Sequence, residues 1–412
     1  MNLLFLTVVN INSIEESGIY QDLLREFMAR GDQVYVISPI ERKYKGKTKL
    51  FETQQCHLLK VWTLNQQQCS FIEKGLGTLL LEYQYIHAIK KYFSNVTFDL
   101  ILYSTPPVTF AKVVKFIKKR DNALSYLLLK DIFPQNAVDL GILSKTGLKG
   151  ILYRYFRAKE KKLYAISDKI GCMSPANCQY ILEHNPEISA EKVEECPNSC
   201  EIKDIRLTEN ERLEMRQKYD LPLDKKIFVY GGNLGRPQGI AFIIDCLRSQ
   251  LNNTRNFFLI VGNGTEFQLL QDFFLNVNPS NMKLMNQLAK DDFDRMLAAC
   301  DVGLIFLDYR FTIPNFPSRL LSYLQAGLPI LSCTDNATDI GQIIEKNQLG
   351  WSCVSNSVEA FSEAVEKAST AVYDAQRGIQ FLQEHYDAKR SYEIIRNTHK
   401  RLSNTCASLS MI

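Results

Sequence analysis

Short, uninterrupted apolar runs recur along this chain, with longer helix-patterned segments between them. They fall at residues 3–9, 33–38, 100–103, 125–129 and 169–173. After a polar stretch they return at 227–230, 257–261, 283–285, 302–306 and 330–333. Continuous rather than alternating hydrophobicity marks strands covered on both faces. Intervening segments such as 19–30, 107–120 and 291–299 carry helical spacing. This alternation predicts an α/β chain whose parallel sheets have helices on both sides. The two series, divided by a polar link at about 196–225, predict two facing Rossmann-like domains with a cleft between them. The expected division is 1–200 and 201–384, with a final helical stretch, about 385–412, crossing back to the first domain. Ligands of such sheets bind at the carboxyl ends of strands, at the topological switch point, so the cleft is the expected active site.

Composition narrows the class. At 412 residues and 46% hydrophobic, the chain has enough apolar material to exclude general disorder. The net charge of +4 is uneven: +6 over residues 1–200 and −2 over 201–412. That bias hints at an anionic surface or substrate and is too weak for a nucleic-acid binder. Eleven scattered cysteines form no disulfide framework, which fits a reducing compartment. No run reaches the roughly 18 apolar residues of a membrane span. The start, MNLLFLTVVNIN, lacks a basic leader region and reads as a first strand, so the cytosol is expected. Cys172, Cys178, Cys196 and Cys200 match no zinc spacing, and the five histidines have no triad or metal partner in view. No metal is expected.

Four segments carry candidate chemistry. YGGNLGRPQG at 230–239 follows a strand and opens a helix, so its glycines can bring backbone N–H groups to a phosphate, with Arg236 as a charged donor. VGNG at 261–264 is a second glycine turn after a strand, and an ordinary turn would serve equally for either sequence. In PNFPSRLLSYLQAGLPIL at 314–331, Ser318 reads as a helix cap and Gly327 as its end. Arg319 in the first turn opposes the helix dipole, and such rule-breaking residues concentrate at functional sites. In LLLKDIFPQN at 127–136, a strand runs into Lys130 and Asp131, a charged pair suited to acid/base work or substrate contact, or an aspartate that merely caps a helix.

Taken together, these parts resemble the family-4 nucleotide-sugar glycosyltransferases of the GT-B fold, in the branch that builds bacterial surface polysaccharides such as capsule, O-antigen and exopolysaccharide. The resemblance runs through GGNLGRPQG, VGNG, MLAACDVGL and PSRLLSYLQAGLPIL in the second half. In the first half it includes Gly18-Ile19-Tyr20, YSTPP at 103–107, LLLKDIFP, and SDKIGCMSPANCQYIL leading to Pro197-Asn198. The chain also departs from the family. Asn233 and Gln238 stand where basic residues are usual, and Pro314 and Ser322 stand where the family carries paired glutamates. A serine can offer the donor ribose one hydrogen bond but not a bidentate pair.

The resemblance implies a retaining, metal-independent transferase that uses a nucleotide-diphosphate sugar as donor substrate and needs no cofactor. It implies donor contacts at Gly232, Asn233, Gly235, Gln238, Gly262, Gly264, Asn286, Gln287, Ser318 and Ser322. Arg236 and Arg319 would stabilise the departing diphosphate. Asp131 would lie near the attacking hydroxyl, with Gly18, Ser104 and Lys130 contacting a glycan or undecaprenyl-linked acceptor. The basic run 42–49 and the aromatic helical pattern 70–93 could rest on an anionic membrane, making the protein peripheral on the inner face of the cell membrane. Rival readings are an epimerase or hydrolase of the same fold and a non-catalytic transferase-like binding protein. A dehydrogenase fits poorly, because no GxGxxG follows the first strand.

Overall fold

The computed structural model describes residues 1–65 and 71–409, so Ser70 at the start of the aromatic segment lies outside the described residues. The chain divides into two units, Met1–Cys200 with Ala388–Ile412, and Glu201–Asp387.

The first unit holds β1 (Asn2–Leu6), β2 (Gln33–Glu41), β3 (Lys49–Glu52), β4 (Cys56–Thr63), β5 (Leu100–Ser104), β6 (Leu124–Leu129), β7 (Lys169–Cys172) and β8 (Val193–Glu195). Their order is β3-β4-β2-β1-β5-β6-β7-β8. Every pairing is parallel except β3 with β4. Chain direction across the sheet reverses between β1 and β5, which makes the carboxyl ends of those strands the switch point. Leu3, Phe5, Val34, Val36, Leu100 and Leu102 are fully or almost fully buried in one cluster on this sheet. The helix Ala388–Leu409 joins that cluster, with Tyr392 edge-on to Phe27 at 4.7 Å and Ile395 buried.

The second unit holds β9 (Lys226–Asn233), β10 (Asn256–Asn263), β11 (Met282–Met285), β12 (Val302–Phe306), β13 (Ile330–Thr334) and β14 (Gly350–Val354). The order β11-β10-β9-β12-β13-β14 is parallel throughout, with its switch point between β9 and β12. Its core gathers Phe228, Tyr230, Phe258, Ile260, Leu304 and Leu331 with Ile243 and Phe361 from flanking helices.

Several expectations need correction. The polar link contains a helix, Glu209–Lys218, fixed by a capping box in which Thr208 Oγ1 accepts from the Glu211 N–H and the Glu211 carboxylate accepts from the Thr208 N–H. Within the basic run 42–49, Arg42–Tyr44 forms a 3-10 turn and Lys49 begins β3. Ser318 makes no side-chain cap bond at the helix Arg319–Gln325. Among the described residues, no helix is long and apolar enough to cross a membrane.

Candidate functional site

The switch point of the second sheet opens into a cavity of about 430 Å³. Its floor is the carboxyl end of β9, Gly231 to Asn233, beside the carboxyl end of β10, Val261 to Asn263, and each strand end leads into a tight turn. These strand ends and the turns after them must be glycine-built. Gly232 sits at φ +125, in the region L side chains avoid, and a β-carbon on Gly262 would stand 1.9 Å from the Gly232 carbonyl oxygen. Gly264 has the same constraint, with the Leu234 oxygen 2.2 Å from any β-carbon.

Gln238 locks the first turn from below. Its buried Oε1 accepts from the Gly235 N–H (3.2 Å) and from Asn233 Nδ2 (2.9 Å). Tyr323 ties the turn to the next strand: its Oη accepts from the Gly231 N–H (3.1 Å) and donates to the Leu304 oxygen (2.9 Å). The helix Arg319–Gln325 supplies the far wall with Arg319, Ser322 and Tyr323.

Arg319 is the charge in this wall. Its guanidinium carbon lies 4.3 Å from the Tyr230 ring centroid, and Nη2 would be 3.6 Å from a β-carbon on Gly232. Nη1 is buried without a hydrogen-bond partner. A buried guanidinium N–H left unpaired is costly, and an anion above the glycine turn would satisfy it. Lys290 adds a second cation to the lining, held by Asp294.

Six residues singled out as donor or catalytic contacts therefore share one cavity: Gly232, Asn233, Gly262, Gln287, Arg319 and Ser322. Gly235, Gln238 and Gly264 build the turns beneath it. Arg236 is half exposed and lies 3.5 Å from Glu266, outside the lining. Asn286 is exposed, and neither it nor Ser318 lines the cavity.

The first unit's candidates cluster at its own switch point. Ser104 ends β5 and accepts from Tyr20 Oη at 2.9 Å. Gly18 opens the helix Ile19–Ala29 and donates its N–H to Asp22 at 3.2 Å. Lys130 and Asp131 follow β6, and the buried Thr105 hydroxyl fixes that turn: it accepts from both their N–H groups (3.1 and 3.2 Å) and donates to the Asp131 carbonyl (3.0 Å). Both Asp131 carboxylate oxygens accept from Asn136 Nδ2, at 2.7 and 2.8 Å. Burial nevertheless raises the carboxyl to about 6, with the Ile132 N–H and Asn136 amide opposing it. Burial lowers the Lys130 ammonium to about 8.

Tyr323, Thr105 and Lys290 were missed as site residues. Each had a readable signal: Tyr323 and Thr105 lie inside quoted motifs, and Lys290 opens the helix after Gln287. Among the described residues, no three His, Cys, Asp or Glu side chains gather as a metal site.

The family model for "Glycosyl transferases group 1" matches residues 211–376. The chain is 24% identical over 305 residues to WbjE of Pseudomonas aeruginosa, named a glycosyltransferase, covering 72% of each. It is 25% identical over 272 residues, 66% of each, to WcaI of Escherichia coli K12, named a glycosyl transferase of colanic acid biosynthesis. The fold matches Anabaena HepE in complex with UDP-glucose at a TM-score of 0.69, with 14% identity, covering 97% of this chain and 100% of that one. It also matches WaaG, a glycosyltransferase of lipopolysaccharide biosynthesis, at a TM-score of 0.65, with 14% identity, covering 95% and 99%.

Fold and relatives together define a GT-B glycosyltransferase. Within that class, the chain is related to the bacterial enzymes that build surface polysaccharides.

Proposed function

We propose that the cavity of the second unit binds a uridine diphosphate sugar, and that the chain transfers the sugar with retention of anomeric configuration to a lipid-linked glycan acceptor. The observation that carries the reading is Arg319, a guanidinium in the lining of the same cavity as Gly231–Asn233, whose buried Nη1 has no hydrogen-bond partner. HepE, of the same fold, is described in complex with UDP and with UDP-glucose, which makes uridine the first nucleotide to test.

In this reading the diphosphate lies over the glycine turn against Arg319, the base lies toward Gln287, and Ser322 meets a ribose hydroxyl. Arg236, three residues past Asn233, is a second cation for the leaving diphosphate once it releases Glu266. As the glycosidic bond breaks, charge grows on the diphosphate, and a guanidinium already in place lowers that barrier without reorganisation. Asp131 is proposed to contact the attacking hydroxyl, with Lys130, Ser104 and Gly18 shaping the acceptor subsite. The basic bias of residues 1–200 supports an acceptor held at an anionic membrane, with the protein peripheral on the cytoplasmic side.

A thermal-shift panel of UDP-, GDP- and CMP-linked sugars tests the donor. A ligand at 100 times its Kd stabilises the folded chain by about 2.7 kcal/mol. The expected result is a shift with UDP-sugars that Arg319→Ala abolishes. No shift with any member would return the protein to the non-catalytic reading.

A further inference from the structure

We propose that the first unit rests on an anionic lipid bilayer through the outer face of the helix Gly147–Ile166. The inference rests on the membrane-held acceptor proposed above and names the surface that makes the contact.

This helix is amphipathic twice over. Its inner face buries Gly150, Glu160, Leu163 and Tyr164. Its outer face carries Leu148, Ile151, Leu152 and Tyr155, which are 88%, 59%, 46% and 38% exposed. The spacing i, i+3, i+4, i+7 puts these four on a single stripe. A stripe of that width in water is unfavourable unless something covers it.

The charge around the stripe says what covers it. Residues 140–166 contain seven Lys or Arg against one carboxylate, Glu160. That carboxylate is buried and taken up by Arg157 (2.5 Å) and Tyr164 Oη (2.8 Å), so it offers nothing to the surface. Lys149 and Arg154 flank the stripe and are exposed, and Lys162 follows at its carboxyl end beside Lys161, which pairs with Glu187 at 3.0 Å. Long cationic side chains beside an apolar stripe can reach lipid phosphates while the apolar residues enter the acyl boundary. The neighbouring helix Phe71–Tyr92 extends the surface through exposed Tyr83, whose Oη accepts from Lys112 Nζ at 2.9 Å.

The run 42–49 is a weaker lipid contact. Its Lys43 ammonium is 3.0 Å from Glu41, and Lys43 and Lys49 lie over the rings of Tyr44 and Phe51.

Flotation of the full chain with phosphatidylcholine vesicles, with and without phosphatidylglycerol, tests the assignment. The wild type is expected to float only with the anionic vesicles. L148E/I151E should lose that binding by about tenfold or more, while K43E/K45E/K47E keeps most of it. An unchanged UDP-glucose thermal shift in L148E/I151E shows that the variant is folded. Wild-type binding that survives L148E/I151E would overturn the surface and leave the membrane reading standing. Absence of wild-type binding to anionic vesicles would overturn both. A wild-type dimer that L148E/I151E converts to monomer would assign the stripe to a second copy and overturn the lipid proposal.

Discussion

Arg319 stacks its guanidinium on Tyr230, 4.3 Å from the ring centroid, and that stacking aims a planar fork at the glycine turn. A lysine can do neither: its ammonium has no plane to stack and no fork for two oxygens. Arg319→Lys is therefore expected to behave nearly as badly as Arg319→Ala. Both should lower kcat by about 100-fold or more, the usual scale for losing a preplaced donor to a developing oxyanion. Steady-state kinetics with UDP-glucose and any competent acceptor checks this. A Lys variant within about threefold of wild type would show that bulk charge suffices.

Asp131, proposed to contact the attacking hydroxyl, also bears on stability. Its folded value of about 6 lies above the ordinary unfolded value near 3.9. The folded state thus holds this proton more tightly, and stability falls as pH rises from about 4 through 6, then stays level. Two units correspond to at most about 3 kcal/mol. Asp131→Asn keeps the shape without the charge, so it should raise Tm near neutral pH and leave it almost unchanged near pH 4. Transfer should fall steeply in the same variant. In the wild type, kcat/KM should decline below pH about 6 as Asp131 protonates and above about 8 as Lys130 loses its proton. A variant with lower Tm at neutral pH would contradict the burial cost.

Gln238 contributes support without lining the cavity. Gln238→Leu removes one carbonyl, strands the buried Gly235 N–H and releases the exposed Asn233 amide to water. An unsatisfied buried donor costs about 1–3 kcal/mol. The variant should lose stability in urea on that scale and bind UDP more weakly because Asn233 is released. Gln238→Glu keeps an acceptor at the same reach and should recover most of the loss.

How far the sequence could be read depends on burial. β1, β5, β6, β9 and β12 are covered on both faces, so each is a continuous apolar run and was legible. β3, β8 and β14 are edge strands with polar or half-exposed residues, and none was read. β4 was missed because Lys60 breaks its apolar run. That lysine is buried, and its ammonium donates to the Ile11 oxygen (2.7 Å) and Asn12 Oδ1 (3.2 Å), holding the loop after β1. Its role is tertiary and invisible to periodicity. The same contrast holds in the site. Gly232 and Gly262 were legible because only glycine fits there. Tyr323 looks like any core aromatic until its hydroxyl is seen between Gly231 and Leu304. The helix after the first unit was missed because Glu209–Lys218 is almost wholly polar, although Thr208 and Glu211 spelled its capping box.

Ser322, proposed to meet a ribose hydroxyl, offers a way to separate binding from chemistry. It lines the cavity one helical turn from Arg319, yet a hydroxyl toward a ribose touches nothing that changes charge during transfer. Its loss should remove uniform binding, raising KM or Kd for UDP-glucose by up to about tenfold, worth about 1 kcal/mol, with kcat nearly constant. Ser322→Glu supplies a carboxylate able to hold two hydroxyls and should tighten UDP binding relative to Ser322→Ala. Calorimetry with UDP gives the affinities, and initial rates give the split. If Ser322→Ala instead cut kcat by about 100-fold with KM unchanged, Ser322 would sit at the reacting bond, and the orientation of the nucleotide in the cavity would have to be reversed.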